Sequence, residues 1–222
     1  MSGRPLAGQR VIVSAGPTFE DIDPVRFIGN RSSGKMGFAV AAAAVELGAQ
    51  VVLVAGPVSL PTPAGVQRID VRSAAQMHAA VFAALPADVY IGAAAVADFT
   101  PRAVAGSKIK KRPGDDGLVL DLVRTRDILA ELSADARRPA LVVGFAAETD
   151  DVARYARGKL EAKRLDLIAA NRVGVAGSGF ESDDNALTVF DRDGGEHALG
   201  PAPKAQLARE LLELIARRPR AA

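Results

Sequence analysis

The sequence predicts an α/β fold: a mainly parallel, twisted sheet with helices on both faces and a small antiparallel β extension. Three observations predict it. Short β-branched runs alternate with longer Ala/Leu-rich stretches of helical period, the order of a sheet wound by crossover helices. The β-branched runs are continuously apolar rather than alternating, as strands buried on both faces are. The chain has 222 residues, 49% of them hydrophobic and none of them tryptophan, which suits one domain with a sizeable core.

In order, residues 10–15 (RVIVSA) read as the first strand, 35–47 as the first helix, 51–55 as the second strand and 74–85 as the second helix. Residues 89–94 and 140–145 are the third and fourth strands, 151–164 a helix, 166–170 a fifth strand and 204–218 the closing helix. Two regions break the rhythm. Residues 99–113 carry Pro and Lys without a period and read as a long loop, of the length that compact domains keep for lids. Residues 118–123 alternate like an exposed antiparallel strand, and 186–190 with 197–199 form a hairpin around Asp193-Gly194-Gly195. Together, 114–123 and 185–199 are read as a β extension of the main sheet. Residues 1–8 read as a linker or tail, and 1–222 as one domain.

Composition removes whole classes of chemistry. A net charge of +2, from 28 basic and 26 acidic residues, exerts no strong pull on nucleic acid. The absence of cysteine excludes disulfides, thiolate metal sites and a cysteine nucleophile. Two histidines, His78 and His197, leave little basis for a histidine triad or zinc site. No apolar run approaches the ~20 residues that span a bilayer, and a cytoplasmic protein without nucleic-acid or membrane partners is expected.

Ligands of a doubly wound sheet bind beyond the carboxyl ends of its strands. After the first strand, the loop from Gly16 to Ser32 is too long for a dinucleotide-binding turn, and GxGxxG is absent. A Walker A motif is not completed, because Gly34-Lys35 is followed by Met36. Ser32, Ser33 and Gly34 precede the first helix, where free amides and hydroxyls suit an anion; read alone, either serine simply caps the helix. After the third strand, Gly92, Ala93 and Ala94 let a flat ring approach the backbone, and Asp98 stands where a ribose hydroxyl would bind. Lys108, Lys110 and Lys111 follow in the irregular loop. Singly they are solvated lysines; as a group they suit a polyphosphate. After the fourth strand, Phe145 can pack on a base. Lys159 and Lys163 share a helix face at i,i+4, unless they merely bridge to Glu148 or Asp151. Asn171 is a turn residue after the fifth strand.

Five stretches, GPTFEDIDPVRFIGNRSSGKMG, AAAVADF with KIKK ten residues after Asp98, VVGFAAET, KRLDLIAAN and GFESDDNAL, run in order from Gly16 to Leu187. Together they resemble the ligase domain of bacterial phosphopantothenate–cysteine ligases, often the C-terminal half of a bifunctional decarboxylase/ligase. The resemblance implies a three-layer Rossmann-like homodimer with each active site near the dimer interface. It implies attack of the 4′-phosphopantothenate carboxylate on the α-phosphate of CTP, with Mg²⁺, and then attack of L-cysteine on the acyl-cytidylate, without an organic prosthetic group. By position, Asn30 resembles the asparagine that contacts the intermediate, Arg26 the arginine of the second half-reaction, and Lys108 the flap lysine of the first. Nucleotide-binding positions fall on Gly92, Ala93, Ala94, Asp98, Lys108, Thr125, Arg126, Asp127, Ile128, Phe145, Lys159 and Lys163. Many relatives carry Asn-Pro where this chain has Thr125-Arg126. The decarboxylase half is missing, so the chain is either a stand-alone ligase or an excised domain. Two other readings compete. A dinucleotide-dependent oxidoreductase needs an acidic end to the second strand, which here ends Ala55-Gly56-Pro57. A non-catalytic nucleotide- or RNA-binding module around KIKKR needs stacking aromatics, which are only 5% of the chain.

Overall fold

The computed structural model describes residues 4–111, 116–148, 150–172 and 182–218. Its elements in chain order are β1 (Arg10–Ala15), β2 (Phe19–Asp21), β3 (Phe27–Gly29), α1 (Lys35–Glu46), β4 (Gln50–Ala55), β5 (Val66–Asp70), α2 (Ala74–Ala83), β6 (Val89–Gly92) and β7 (Phe99–Pro101). They continue with β8 (Leu122–Arg124), α3 (Ile128–Ala134), β9 (Leu141–Glu148), α4 (Val152–Ala162), β10 (Leu167–Arg172), β11 (Asp184–Asp191), β12 (Glu196–Pro203) and α5 (Lys204–Ala216).

Eight strands form the main sheet in the order β12-β11-β10-β9-β6-β1-β4-β5. The run from β10 to β5 is parallel, and β11 and β12 extend the β10 edge by antiparallel pairing. Period-2 alternation divides each strand between two cores. Val11 and Val13 face α1 and α5 with Leu207 and Leu211, while Ile12 faces α2, α3 and α4 with Met77, Leu132 and Leu160. The central strands β1, β4 and β6 are buried on both sides along almost their whole length, hence their continuous apolar runs.

Strand order reverses at β1, whose neighbours are β4 on one side and β6 on the other. The chain winds outward from β1 through α1 to β4 and β5, then crosses back to β6. A crevice therefore opens between the ends of β1 and β6. At its edge Gly37 lets α1 lie against β1: a Cβ there would stand 2.4 Å from the Ala15 Cβ.

The structure differs from the sequence-based elements in several places, among them β2, β3 and β7, which lie in stretches read as loops. β5 was not expected, because an edge strand reading VQRID has only one buried-face period and spends Arg68 on Asp70 and the Leu60 carbonyl. α3 was not expected because seven residues hold too little period; its Asp127 cap, accepting from the Ala130 amide at 3.1 Å, is the local signal. The hairpin is longer than its apolar residues suggest and does extend the main sheet. Residues 118–121 are not a strand; only β8 pairs, with β7, in a separate two-stranded ribbon rather than on the main sheet. A second ribbon joins β2 to β3. Residues 112–115 and 173–181, which include parts of the expected flap, the β extension and the GFESDDNAL stretch, lie outside the described residues.

Candidate functional site

Beyond β1 and β6 lies a cavity of about 860 Å³. Its floor is made where the two strands keep pairing past their ends. The Ala93 amide donates to the Ser14 carbonyl at 3.0 Å, and the Ala95 amide to the Gly16 carbonyl at 2.9 Å. Beneath them the Ser14 and Tyr90 hydroxyls are hydrogen-bonded at 2.9 Å. Burial pushes the Tyr90 hydroxyl up to about 12, so it stays protonated. Gly92 keeps the floor thin, since a Cβ there would meet Leu129 and the Tyr90 ring at 3.3 Å. Gly92, Ala93 and Ala94 thus line the floor with nothing larger than a methyl group.

The wall on the α1/α5 side is built from Ser32, Ser33, Gly34, Lys35, Asn185 and Lys204. Neither serine caps α1. The N-cap is Gly34, left-handed at φ 76°, and the Ser32 hydroxyl accepts from the Gly34 amide at 3.3 Å. Two lysines flank this amide-rich turn. Lys35 pairs with Asp183 at 2.7 Å. Lys204 is only 6% exposed and donates to the Ser182 carbonyl. Burial, and then the neighbouring Lys35 charge, lower the Lys204 pKa, opposed by Asp183. Lys35, Lys204, Asn185 and, as a cavity residue, Asn171 escaped the sequence reading. One signal was available for Lys204: a cation opening a helix runs against the helix dipole.

The opposite wall, on the α3/α4 side, carries Thr125, Arg126, Asp127, Ile128, Lys159 and Lys163. Thr125 is tied back to the β6–β7 loop: its hydroxyl donates to the Ala97 carbonyl at 2.6 Å and its amide to the Asp98 carbonyl at 3.0 Å. Arg126 pairs with Glu131. Lys159 pairs with Glu148 at 2.7 Å and Lys163 with Asp127 at 2.9 Å; Asp151 instead holds Arg154. Lys159 therefore makes a bridge of the plain reading, Lys163 pairs with a carboxylate that reading did not name, and both still line the cavity. Asp98 and half-buried Phe145 complete the lining, and the Asn30 amide nitrogen donates to the Ala95 carbonyl at 3.0 Å.

Arg26 and Lys108 do not line the cavity. Arg26 pairs with Asp23 at 2.6 Å, and Lys108 is exposed on the loop after β7. Gly29 does stand five residues before Gly34, the glycine spacing of a phosphate-binding P-loop. It belongs to the β2–β3 ribbon, however, and Met36 fills the Ser/Thr position. Among the described residues no three His, Asp or Glu groups gather as a metal site, and no helix is long and apolar enough to cross a membrane. Asp98 and Asp127 are the carboxylates on the described cavity wall. That set suits a Mg²⁺ carried in by phosphates, which needs only one or two carboxylates, better than a resident ion.

Comparison with known proteins agrees with this architecture. Residues 6–218 match the family model "DNA/pantothenate metabolism flavoprotein C-terminal domain". The coenzyme A biosynthesis bifunctional protein CoaBC of Vibrio cholerae is 53% identical over 211 residues, 95% of this chain and 53% of its own length. That of Bacillus subtilis is 51% identical over 214 residues, 96% of this chain and 52% of its own. The chain thus spans about half the length of these curated relatives. The crystal structure of the C-terminal domain of a CoaBC protein superposes with a TM-score of 0.81 at 41% identity, covering 96% of this chain and 97% of that one.

Proposed function

The chain belongs to the DNA/pantothenate metabolism flavoprotein C-terminal domain family, and from that premise we propose that it is a phosphopantothenate–cysteine ligase of coenzyme A biosynthesis. In this reading it is a cytoplasmic enzyme that uses CTP and passes through an acyl-cytidylate. The observation that carries the proposal is the cavity itself: a thin backbone floor at the switch point, with cations on the walls over both faces of the sheet. A molecule with one anionic end fills one wall. The ligase needs both, because two of its three substrates are a nucleoside triphosphate and a phosphate ester.

The nucleotide is assigned to the α3/α4 wall, with its base against Gly92, Ala93, Ala94 and Phe145, its ribose at Asp98 and its phosphates toward Lys159 and Lys163. The phosphate of phosphopantothenate is assigned to residues 32–35 and Lys204. The substrate carboxylate between them attacks the α-phosphorus, and the bond to pyrophosphate breaks. Lys159, Lys163 and the flap lysine Lys108 neutralise the charge that spreads over the transferring group. Mg²⁺, when bound with the nucleotide, would supply further neutralisation, with Asp127 on the cavity wall to hold it. Asn30 holds the intermediate by a carboxamide that stays neutral. The amine of cysteine then attacks the acyl carbon, loses a proton and expels CMP. No protein nucleophile is needed, in keeping with a chain that has no cysteine and two histidines.

We also propose that it works as a homodimer, with a decarboxylase domain in the parent chain. Val25, Phe27, Phe99, Val104, Leu118, Val119 and Leu122 are exposed on the two ribbons and their loops, Val119 to 95%, an apolar display that a partner copy would cover. Sedimentation showing only monomer at micromolar concentration contradicts it.

Release of pyrophosphate from CTP with phosphopantothenate, before cysteine is added, tests the activity. A non-catalytic nucleotide-binding module releases none, and parallel assays with ATP and CTP decide the nucleotide.

A further inference from the structure

The loop that carries Lys108 is strapped to the tip of the β2–β3 ribbon at two points. The Ala105 amide donates to the Ile22 carbonyl at 3.0 Å. At Ile109 both backbone groups are taken: its amide donates to Asp23 Oδ2 at 3.1 Å, and its carbonyl accepts from Arg26 Nη2 at 2.6 Å. Asp23 and Arg26 are themselves locked together. Asp23 Oδ2 accepts from Arg26 Nε at 3.0 Å and Nη2 at 2.6 Å, and Oδ1 accepts from the Val25 and Arg26 amides at 2.8 and 2.9 Å. The pair presents one acceptor and one donor to Ile109, as an adjacent β-strand would. Ile109 is half-buried while Lys108 and Lys110 on either side are exposed.

The ribbon that makes this clamp is fixed to the body of the protein. Phe19 and Phe27 stack at 4.0 Å, Arg72 lies over both rings and pairs with Asp21 at 2.6 Å, and the Glu20 carboxylate accepts from the Ala74 amide at 2.8 Å. Asp23 is 1% exposed. Burial alone would raise its pKa, yet the hydrogen bonds from Ile109, Val25 and Arg26 hold it well below the usual carboxylate range. It therefore remains an acceptor at any pH at which the enzyme works.

We propose that Asp23 is a positioning residue of the reaction: with Arg26 it fixes the peptide planes on both sides of Ile109 and so sets the direction from which Lys108 reaches the nucleotide phosphates. The inference rests on the phosphate-neutralising role given to Lys108 above. Arg26 acts here through the flap rather than by touching substrate in its own protomer's cavity. Asp23→Asn keeps the shape but turns an NH2 toward donors that need an acceptor, so it releases the clamp.

A double-mutant cycle on single-turnover pyrophosphate release, with CTP and phosphopantothenate saturating, tests this. Asp23→Asn should slow release by about 10- to 100-fold, the scale of a small misplacement of a reacting group. Lys108→Gln should then cost far less in the Asp23→Asn background than in the native chain. A Lys108→Gln penalty that is equal in both backgrounds overturns the clamp. No penalty for Lys108→Gln alone removes the flap reading beneath it, a separate failure. Hydrogen exchange of the Ile109 amide keeps the proposal testable even if Asp23→Asn does not fold. The amide should be protected in the native chain and should lose protection in Arg26→Lys, which keeps the charge but not the two-point grip, while β1 and β9 amides stay protected. An Ile109 amide that exchanges like an open loop in the native chain contradicts the clamp outright.

Discussion

Lys204 sits where three effects oppose its charge: the first turn of a helix, burial, and a second ammonium at Lys35. A fold keeps such a group when something bound there returns the cost, and an anion between the α1 and α5 N-termini would do so. Lys204→Met, which removes charge but little volume, should raise the KM for phosphopantothenate at least about tenfold, one lost charge-assisted hydrogen bond, and leave that for CTP unchanged. The fold should lose only about 1 kcal/mol, the scale of the hydrogen bond to the Ser182 carbonyl. Asp98→Ala should do the reverse, raising the CTP KM alone. Both variants moving both constants equally would make these residues structural. The same contrast shows what a sequence can reveal at this scale. Lys159 and Lys163 were legible because i,i+4 spacing is a local geometry. Lys204 and Asn185 were not, because Asn185 reaches the cavity by the antiparallel pairing of β11 with β10, and Lys204 by the return of β12 beside β11.

At the scale of elements, the β11–β12 hairpin carries α5 and Lys204 to the site, and Asp191 is the residue that shapes its turn. One Asp191 oxygen accepts from the Asp193 and Gly195 amides at 2.9 and 2.8 Å, while the other meets His197 and Arg218. Burial works to raise its pKa, but these donors, the Gly195 amide foremost, outweigh it and lower it to about 2. A carboxylate depressed in the folded state contributes stability above its unfolded value of about 3.9, and that contribution is lost as pH falls toward 2. Asp191→Asn should therefore cost about 3 kcal/mol at pH 7, the low end for breaking a buried ion pair. In urea melts the gap from the native chain should narrow between about pH 4 and 2. A gap that stays constant there would rule out the charge as its source. Strands that are buried on both faces were legible as elements; β5 and α3 were not. An edge strand with Arg68 and Asp70 lacks the apolar run, and a two-turn helix is too short for a period to register.

At the scale of the molecule, the fold class and the position of the site follow from one property of the chain. Apolar strands alternate with helices, so ligand-facing residues must gather at strand ends, and the residues after the strands at 10–15 and 89–92 do converge with Phe145, Ala146 and Ala147 at the end of β9. What strand order could not tell was how the arms close. The ribbon β7–β8, the clamp at Asp23 and the placement of Arg26 off the cavity depend on pairing between segments 19 to 86 residues apart, as Arg102 with Asp121 and Asp23 with Ile109 show, and no local pattern encodes such pairing. The proposed mechanism turns on a substrate carboxylate activated by bonding to the α-phosphorus of a nucleotide in this cavity. Phosphopantothenate labelled with ¹⁸O in its carboxylate tests that directly, with CTP and cysteine present and the CMP analysed by mass. One ¹⁸O is expected in each CMP released, because the carboxylate oxygen that attacked phosphorus leaves with it. CMP without label, or label appearing only in inorganic phosphate, would contradict the mechanism.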